Sequence, residues 1–460
     1  MTTWYGQIWD SFNFDDAALA DGVYTSTTWN SASDGSGTWL SWNENQTIVD
    51  AYAEGDTFRT GSGLGATLNV DITKHCVLYS VGGSFLIYEN RIINADCITN
   101  SLSGISIEAS CTVVINGNVT GGVTSSAIGI FIKSNVTANI TINGTVNAGS
   151  SGNSYGLYAA GIGSTITINN GSNNAVVSIG TVKALVVSEN FTTVNITGNV
   201  VSGTSGTGIM LNNTGATLNI TGNVIGGSSS TGYGINIASA ATSSSLTIVG
   251  NVNGAVGAAI YSSAAGVTID VTGNITCTGT GAAITLGAAA TLAQRNGNIT
   301  ASGTAGSSGG HGISITSNNC ILNLSGNVYG GQSAGINNIC GIKVSYSGTT
   351  SFTLALNGNV YAGLGILCHG ISVVSATAFG TYSVVINGNI FNNEKALGVS
   401  APYTLGSSNQ YFTQNPITGG SMIKFPMQLA VEKVLKGQVH GNVVGTLAPA
   451  SPFRRLKRFV

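Results

Sequence analysis

The sequence predicts an all-β fold, a parallel β-helix solenoid of about 11 coils of roughly 27 residues each. Three observations carry that expectation. The first is a recurring string, read at Leu218-Asn219-Ile220-Thr221-Gly222-Asn223-Val224, Val114-Ile115-Asn116-Gly117-Asn118-Val119, Leu246-Thr247-Ile248-Val249-Gly250-Asn251-Val252 and Leu354-Ala355-Leu356-Asn357-Gly358-Asn359-Val360. Its turn residues form a column: Gly117, Gly144, Asn170, Gly198, Gly222, Gly250, Gly273, Gly297, Gly326, Gly358 and Gly388. The second is alternation. Apolar side chains stand two and four places before the turn (Ile220 and Leu218, Ile196 and Val194, Leu324 and Leu322, Ile386 and Val384), mostly with polar or small residues between them. That period of two on β-branched residues describes a strand with one buried face. The third is another column lying between the first: Gly129-Ile130-Phe131-Ile132, Gly208-Ile209-Met210-Leu211, Gly234-Ile235-Asn236-Ile237, Gly312-Ile313-Ser314-Ile315, Gly341-Ile342-Lys343-Val344 and Gly370-Ile371-Ser372-Val373. Each coil therefore holds at least two short strands joined by Gly/Ser-rich corners, too short a repeat for a helical solenoid of this composition.

At the corner, glycine or Asn170 is expected to supply a positive φ. Asn118, Asn199, Asn223, Asn251, Asn274, Asn298, Asn327, Asn359 and Asn389 follow it, placed so that stacked coils line up their amides in a hydrogen-bonded ladder. At about 4.8 Å per strand, ten coil steps would extend about 48 Å.

Four segments are expected. Residues 1–60 hold all five tryptophans (Trp4, Trp9, Trp29, Trp39, Trp42) with Phe12, Phe14 and Tyr24, and read as a small aromatic-cored β cap or attachment domain. Residues 61–108 read as irregular entry coils, with Gly104-Ile105-Ser106-Ile107 opening the regular body. Residues 109–390 are the shaft. Within it, Ala293 and Arg295 would point inward before Gly297, and an unpaired guanidinium in an apolar stack is strongly unfavourable, so a one-residue shift turning Leu292 inward is expected. The longer late coils predict loops near Ser302 to Gly310 and Ser375 to Tyr382. Residues 391–460 form a non-repeat segment for capping, trimerisation or anchoring. Pro426 to Lys436 suits a short helix ended by Gly437, and Arg454-Arg455-Leu456-Lys457-Arg458 a solvated tail, with no nucleic-acid partner expected.

Composition narrows the chemistry. Sixty-six glycines and only 7% charged residues depart from an ordinary globular domain, while 42% hydrophobic residues argue against disorder. No apolar run is long enough for a membrane span, and Met1-Thr2-Thr3-Trp4-Tyr5-Gly6 lacks a signal-peptide pattern. The net charge of −2 conceals −10 over residues 1–108 and +6 over residues 391–460, so either end can face a complementary surface or simply be differently solvated. Between residues 109 and 393 the only carboxylates are Glu189 and Asp270, about three coils or ~14 Å apart. Glycoside hydrolysis needs two carboxyls within about 5–9.5 Å. A groove between subunits and the acidic entry region (Asp71, Glu89, Asp96, Glu108) stay open as alternatives. The cations Lys133, Lys183, Arg295 and Lys343 are scattered. Cys76, Cys97, Cys111, Cys277, Cys320, Cys340 and Cys368 show no C-x-x-C spacing and read as reduced core thiols, so no metal site is expected. His75, His311, His369 and His440 lie far apart, and Cys368-His369 reads as a rung and its corner rather than a dyad. Sequons inside the repeat (Asn195, Asn219, Asn274, Asn298) argue against eukaryotic secretion, since glycans there would block stacking. Neither catalytic residues nor a cofactor are expected.

These columns and ends resemble the β-helical shafts of bacteriophage virion proteins, namely tailspikes, tail fibres and head decorations, and less closely bacterial surface adhesins. The terminal Gly445-Thr446-Leu447 with Pro449 is similar to a G-T-L-x-x-P module of phage structural proteins, with one intervening residue instead of two. The resemblance implies a homotrimer made in the host cytoplasm and carried in the virion. It further implies a terminal domain bound to other virion proteins, and a host-surface glycan or receptor as partner. A non-enzymatic fibre or spike is the leading expectation, with a polysaccharide-depolymerising tailspike and a surface adhesin as alternatives.

Overall fold

The computed structural model of the chain describes residues 1–6, 12–15, 17–20, 23–26, 29–41, 47–61, 65–124, 127–149, 154–178, 183–229, 232–255, 257–302, 310–331, 339–346, 350–363, 370–375, 379–386, 390–391 and 409–412. Gly388 and Asn389, Cys368 and His369, His440, Trp9 and Trp42, the Pro426 to Lys436 helix, the basic tail and most of the Ser302 to Gly310 loop lie outside the described residues. The fold is a parallel β-solenoid of about ten turns over residues 91–372, almost without helix. It falls into two compact units, Met1–Val256 and Gly257–Val460.

In the first unit each regular coil has three strands. Thr217–Thr221 supplies the alternating strand, Val224–Ile225 follows the glycine corner, and Ile235–Ile237 belongs to the second sequence column. Identical positions sit on one another: Val194 pairs with Leu218 and Leu218 with Leu246, Ile196 with Ile220 and Ile220 with Ile248, Val200 with Val224, and Ile209 with Ile235. These inward side chains are buried. Each contributes about 1.5–3 kcal/mol of hydrophobic stabilisation, which explains why the apolar alternation persists while the loops vary. A third corner is invisible in the sequence. Asn135, Gly163, Phe191, Gly215 and Ser243 share a left-handed conformation with φ between 55° and 71°. Glycine takes only two of these five places, so no column could be read.

The entry segment is more regular than its sequence suggests. Strands Thr57–Thr60, Ile72–Ser80, Arg91–Thr99 and Thr112–Ile115 stack in parallel as successive rungs. Residues 1–60 lay strands on the same stack, with Thr3–Gly6 parallel to Thr57–Thr60 and Phe12–Asn13 parallel to Ala66–Thr67. Trp29–Asn30 then runs antiparallel to Thr3–Gly6. Beside that reversed strand, Phe14, Trp29, Tyr52 and Phe58 pack edge to face with centroids 4.9–5.6 Å apart, and Trp29 Nε1 donates to the Phe14 carbonyl at 3.0 Å. Of the described tryptophans only Trp29 is fully buried, while Trp39 is exposed. The short helix Ile48–Ala51 was not foreseen.

In the second unit the irregular rung resolves by a one-residue insertion. Ile269 pairs with Leu292 and Val271 with Gln294, so Leu292 and Gln294 point inward. Arg295 turns outward to Asp270, Nη2 to Oδ2 at 2.8 Å. Asn296, with φ at 52°, absorbs the extra residue before Gly297. The buried Gln294 amide donates to the Gly273 carbonyl at 3.1 Å. The segment Ser375 to Tyr382, expected as a loop, is partly strand, since Phe379–Ile386 joins Thr350–Leu356. Strand Asn409–Phe412 pairs antiparallel with Ile371–Ser375, a reversed strand on what would otherwise be a parallel edge.

One core position is ill matched. Ser262, fully buried beside Leu286, is the sole buried hydroxyl among the described residues without a hydrogen-bond partner. An unsatisfied buried group costs about 1–3 kcal/mol. Ser262→Ala should therefore raise stability by about 1 kcal/mol in urea unfolding; a loss of that size would mean the hydroxyl has a role in the core.

Candidate functional site

The corner column assembles because the strand before it ends in a tight reversal. At Asn199, Oδ1 accepts the Asn223 backbone N–H at 2.9 Å and its amide at 3.2 Å. Asn223 Oδ1 accepts the Asn251 N–H at 2.9 Å. Lower in the same unit, Asp96 Oδ1 accepts the Asn118 N–H at 2.7 Å and amide at 3.1 Å, and Asn118 Oδ1 accepts the Thr145 N–H at 2.9 Å. The second unit repeats this at Asn274 to Asn298, Asn298 to Asn327 and Asn327 to Asn359, at 2.9–3.0 Å. Each carbonyl oxygen satisfies a backbone donor that the corner has taken out of sheet register. The ladder is therefore chiefly side chain to backbone, where the sequence suggested amide to amide.

The glycines have a different reason from the one expected. Gly198, Gly222, Gly250 and Gly273 do adopt positive φ, from 132° to 154°. Gly117, Gly297, Gly326 and Gly358 do not, and neither does Asn170, whose neighbour Gly171 takes φ 58° instead. What Gly117, Gly222, Gly250, Gly297, Gly326 and Gly358 share is a close approach of coils. A Cβ at Gly117 would lie 2.1 Å from the Ala95 carbonyl oxygen, and one at Gly326 1.7 Å from that of Gly297. Only glycine fits under that oxygen.

A second ladder escaped sequence reading. Amide to carbonyl, Asn116 bonds Asn94, Asn143 bonds Asn116 and Asn169 bonds Asn143 at 2.6–3.1 Å, and Asn219 bonds Asn195 at 2.9 Å. The signal was present, since Asn precedes the turn residue at 116, 143 and 169.

Ionisable groups serve separate contacts. Asp270 is taken by Arg295, and Glu189 lies in the other unit. In the entry coils Asp71 accepts the Ile92 N–H at 2.9 Å, Glu89 pairs with Arg91, and Glu108 pairs with Lys133 at 2.9 Å. Burial pushes the Glu108 carboxyl up, but hydrogen bonds from Ser106 and Lys133 outweigh it and leave the group below its usual range. Among the described residues no three His, Cys, Asp or Glu side chains gather where a metal ion would need them. His311 is a core residue whose Nδ1 accepts the Cys340 N–H at 3.0 Å. The six described cysteines are buried and form no disulfide. Burial pushes the Cys76 thiol up to about 12 and the Cys97 thiol well above its ordinary value, which removes the reactive thiolate. At pH 8 a thiol reagent should accordingly leave all six unmodified until denaturant is added; rapid native labelling of Cys76 or Cys97 would contradict this packing.

No helix among the described residues is long and apolar enough to cross a membrane. No protein-family model, curated protein or solved structure matches the chain. What fold and corners define is a class, the parallel β-solenoid with asparagine-capped glycine corners.

Proposed function

We propose that this chain is a non-enzymatic structural protein of a bacteriophage virion, a homotrimeric fibre or spike for host-surface attachment or particle decoration. The observation that carries the reading is the coil-to-coil Asn column, in which Asn199, Asn223, Asn298 and Asn327 each tie one corner to the next. Such ties stiffen a spacer and supply no chemistry. Ionisable side chains engaged in structural contacts support the same reading. One terminal segment holds the particle and the other is presented outward.

Light scattering of the purified full chain should give the mass of three copies, and antibody against it should label intact particles in electron micrographs. A monomer, or unlabelled particles, would remove the proposal. Release of oligosaccharides from host capsule or lipopolysaccharide would replace it with a depolymerising tailspike.

A further inference from the structure

Where the first unit departs from its own repeat, a groove opens. Three departures converge on it. The corner position that holds Asn118, Asn199 and Asn223 elsewhere is Asp96 at one coil and Thr145 at another. One coil further, the strand Thr165–Val177 loses register: Asn169 pairs with Thr197 and Asn174 with Asn199, so residues 170–173 stand opposite the single Gly198. Thr145 is shorter than the Asn it replaces; its Oγ1 accepts from the Asn170 amide at 2.8 Å and donates to the Asn174 carbonyl at 3.1 Å, and the extra residues held in this way raise a wall beside it. The resulting concavity has a volume of about 560 Å³, within the range of about 300–1,000 Å³ usual for small-molecule sites.

Its lining is of mixed polarity. Ile98 and Val177 supply apolar surface, and Asn147, Asn173 and Thr120 offer amides and hydroxyls. Among the described residues Asp96 is the only ionisable one that lines it. The carboxylate is fixed through Oδ1, which accepts both donors of Asn118, while Oδ2 accepts no hydrogen bond from the described residues. Rigid amides and hydroxyls that both donate and accept, an apolar patch and one spare carboxylate oxygen suit a pyranose ring. Among the described residues no cation lines the groove to offset a ligand carboxylate, so an acidic sugar would face Asp96 unpaired.

We propose that this groove binds a neutral or amino-sugar unit of an oligosaccharide without cleaving it. The proposal rests on the attachment reading above and specifies its ligand. Among the described residues the lining holds one carboxyl, where hydrolysis uses two, which favours binding over cleavage.

The test is binding of the full chain to immobilised neutral hexose, N-acetylhexosamine and uronic-acid oligomers, with two variants. Thr145→Asn puts a longer side chain into the groove and replaces the hydroxyl that bonds Asn170 and Asn174, so urea unfolding of this variant is measured beside its binding. Asp96→Asn retains the Oδ1 acceptor for Asn118 and removes the charge. The wild type should bind neutral or amino-sugar oligomers, with uronic acids at least tenfold weaker. Thr145→Asn should lose at least tenfold, and Asp96→Asn should narrow the discrimination against uronic acids. No binding to any oligomer, equal binding of uronic acids, or unchanged binding by Thr145→Asn overturns the proposal. Adhesion to host cells, measured in parallel, separates the two readings. Equal adhesion of wild type and Thr145→Asn sinks the groove and leaves attachment standing, whereas sugar binding by a chain that does not adhere sinks attachment alone.

Discussion

Gly222→Ala should destabilise the first unit by roughly 3–5 kcal/mol, while Gly163→Ala, at another corner of the same unit, should cost only about 1–2 kcal/mol. Gly163, at φ 64°, lies in the left-handed well that Asn135, Phe191 and Ser243 also enter, whereas Gly222, at 151°, lies well outside it. Space separates them further. A Cβ at Gly163 meets nothing within 4 Å, whereas at Gly222 it would lie 2.2 Å from the Gly198 oxygen and 2.5 Å from its carbon. Those atoms are backbone and cannot rotate away, so the coils must part. Parting them stretches the Asn223 to Asn199 hydrogen bond below the corner and the Gly222 N–H to Val249 carbonyl bond above it, both 2.9 Å. Urea unfolding of the full chain measures the difference. Equal losses in the two variants would show that neither the approach of coils nor the φ of 151° selects glycine in the marker column.

That distinction shows what the sequence discloses. The coil period and the inward positions were legible because every coil faces the same physical demand, an apolar side chain in a shared core. Gly and Asn were likewise legible as a column, yet their reasons were not: a contact across coils leaves the same letter as a turn with positive φ. The left-handed corner at Asn135, Gly163, Phe191, Gly215 and Ser243 left no consistent letter, since glycine takes two places and three other residue types the rest. The shift that points Leu292 inward could be deduced because a buried guanidinium is so unfavourable; the burial of Gln294 beside it could not, because the amide is satisfied by a carbonyl of the coil below. The groove was legible only in pieces. Asp96, Thr145 and residues 170–173 are unremarkable in sequence and meet only when stacked coils bring positions 20 to 30 residues apart into contact.

Asp56→Ala should cost about 3 kcal/mol and release the N-terminal strand. The side chain is almost fully buried and accepts from the Thr2 N–H at 2.6 Å, the Trp4 indole at 2.9 Å and the Ala53 N–H at 3.1 Å. Alanine leaves three donors without an acceptor, and hydrogen bonds to a charged group contribute about 1.5–3 kcal/mol each before compensation by water. Those donors hold Thr3–Gly6 against Thr57–Thr60, so their loss uncovers the parallel edge of that strand and the aromatic cluster around Phe58. The same carboxylate sets an acid response. Burial pushes its pKa up, but the hydrogen bonds from Trp4, Thr2 and Ala53 outweigh that and hold it below its ordinary 3.8. A group depressed in the folded state stabilises fully above its unfolded pKa, and that contribution drains as pH falls through the folded value. Wild type should thus lose stability below about pH 4 more steeply than Asp56→Asn, which has no charge to lose. Thermal unfolding between pH 2 and 7, with light scattering for association through the uncovered edge, tests both parts. Matching acid limbs in the two proteins, or an Asp56→Ala variant as stable as wild type at pH 7, would mean that the N-terminal strand is held by something other than this carboxylate.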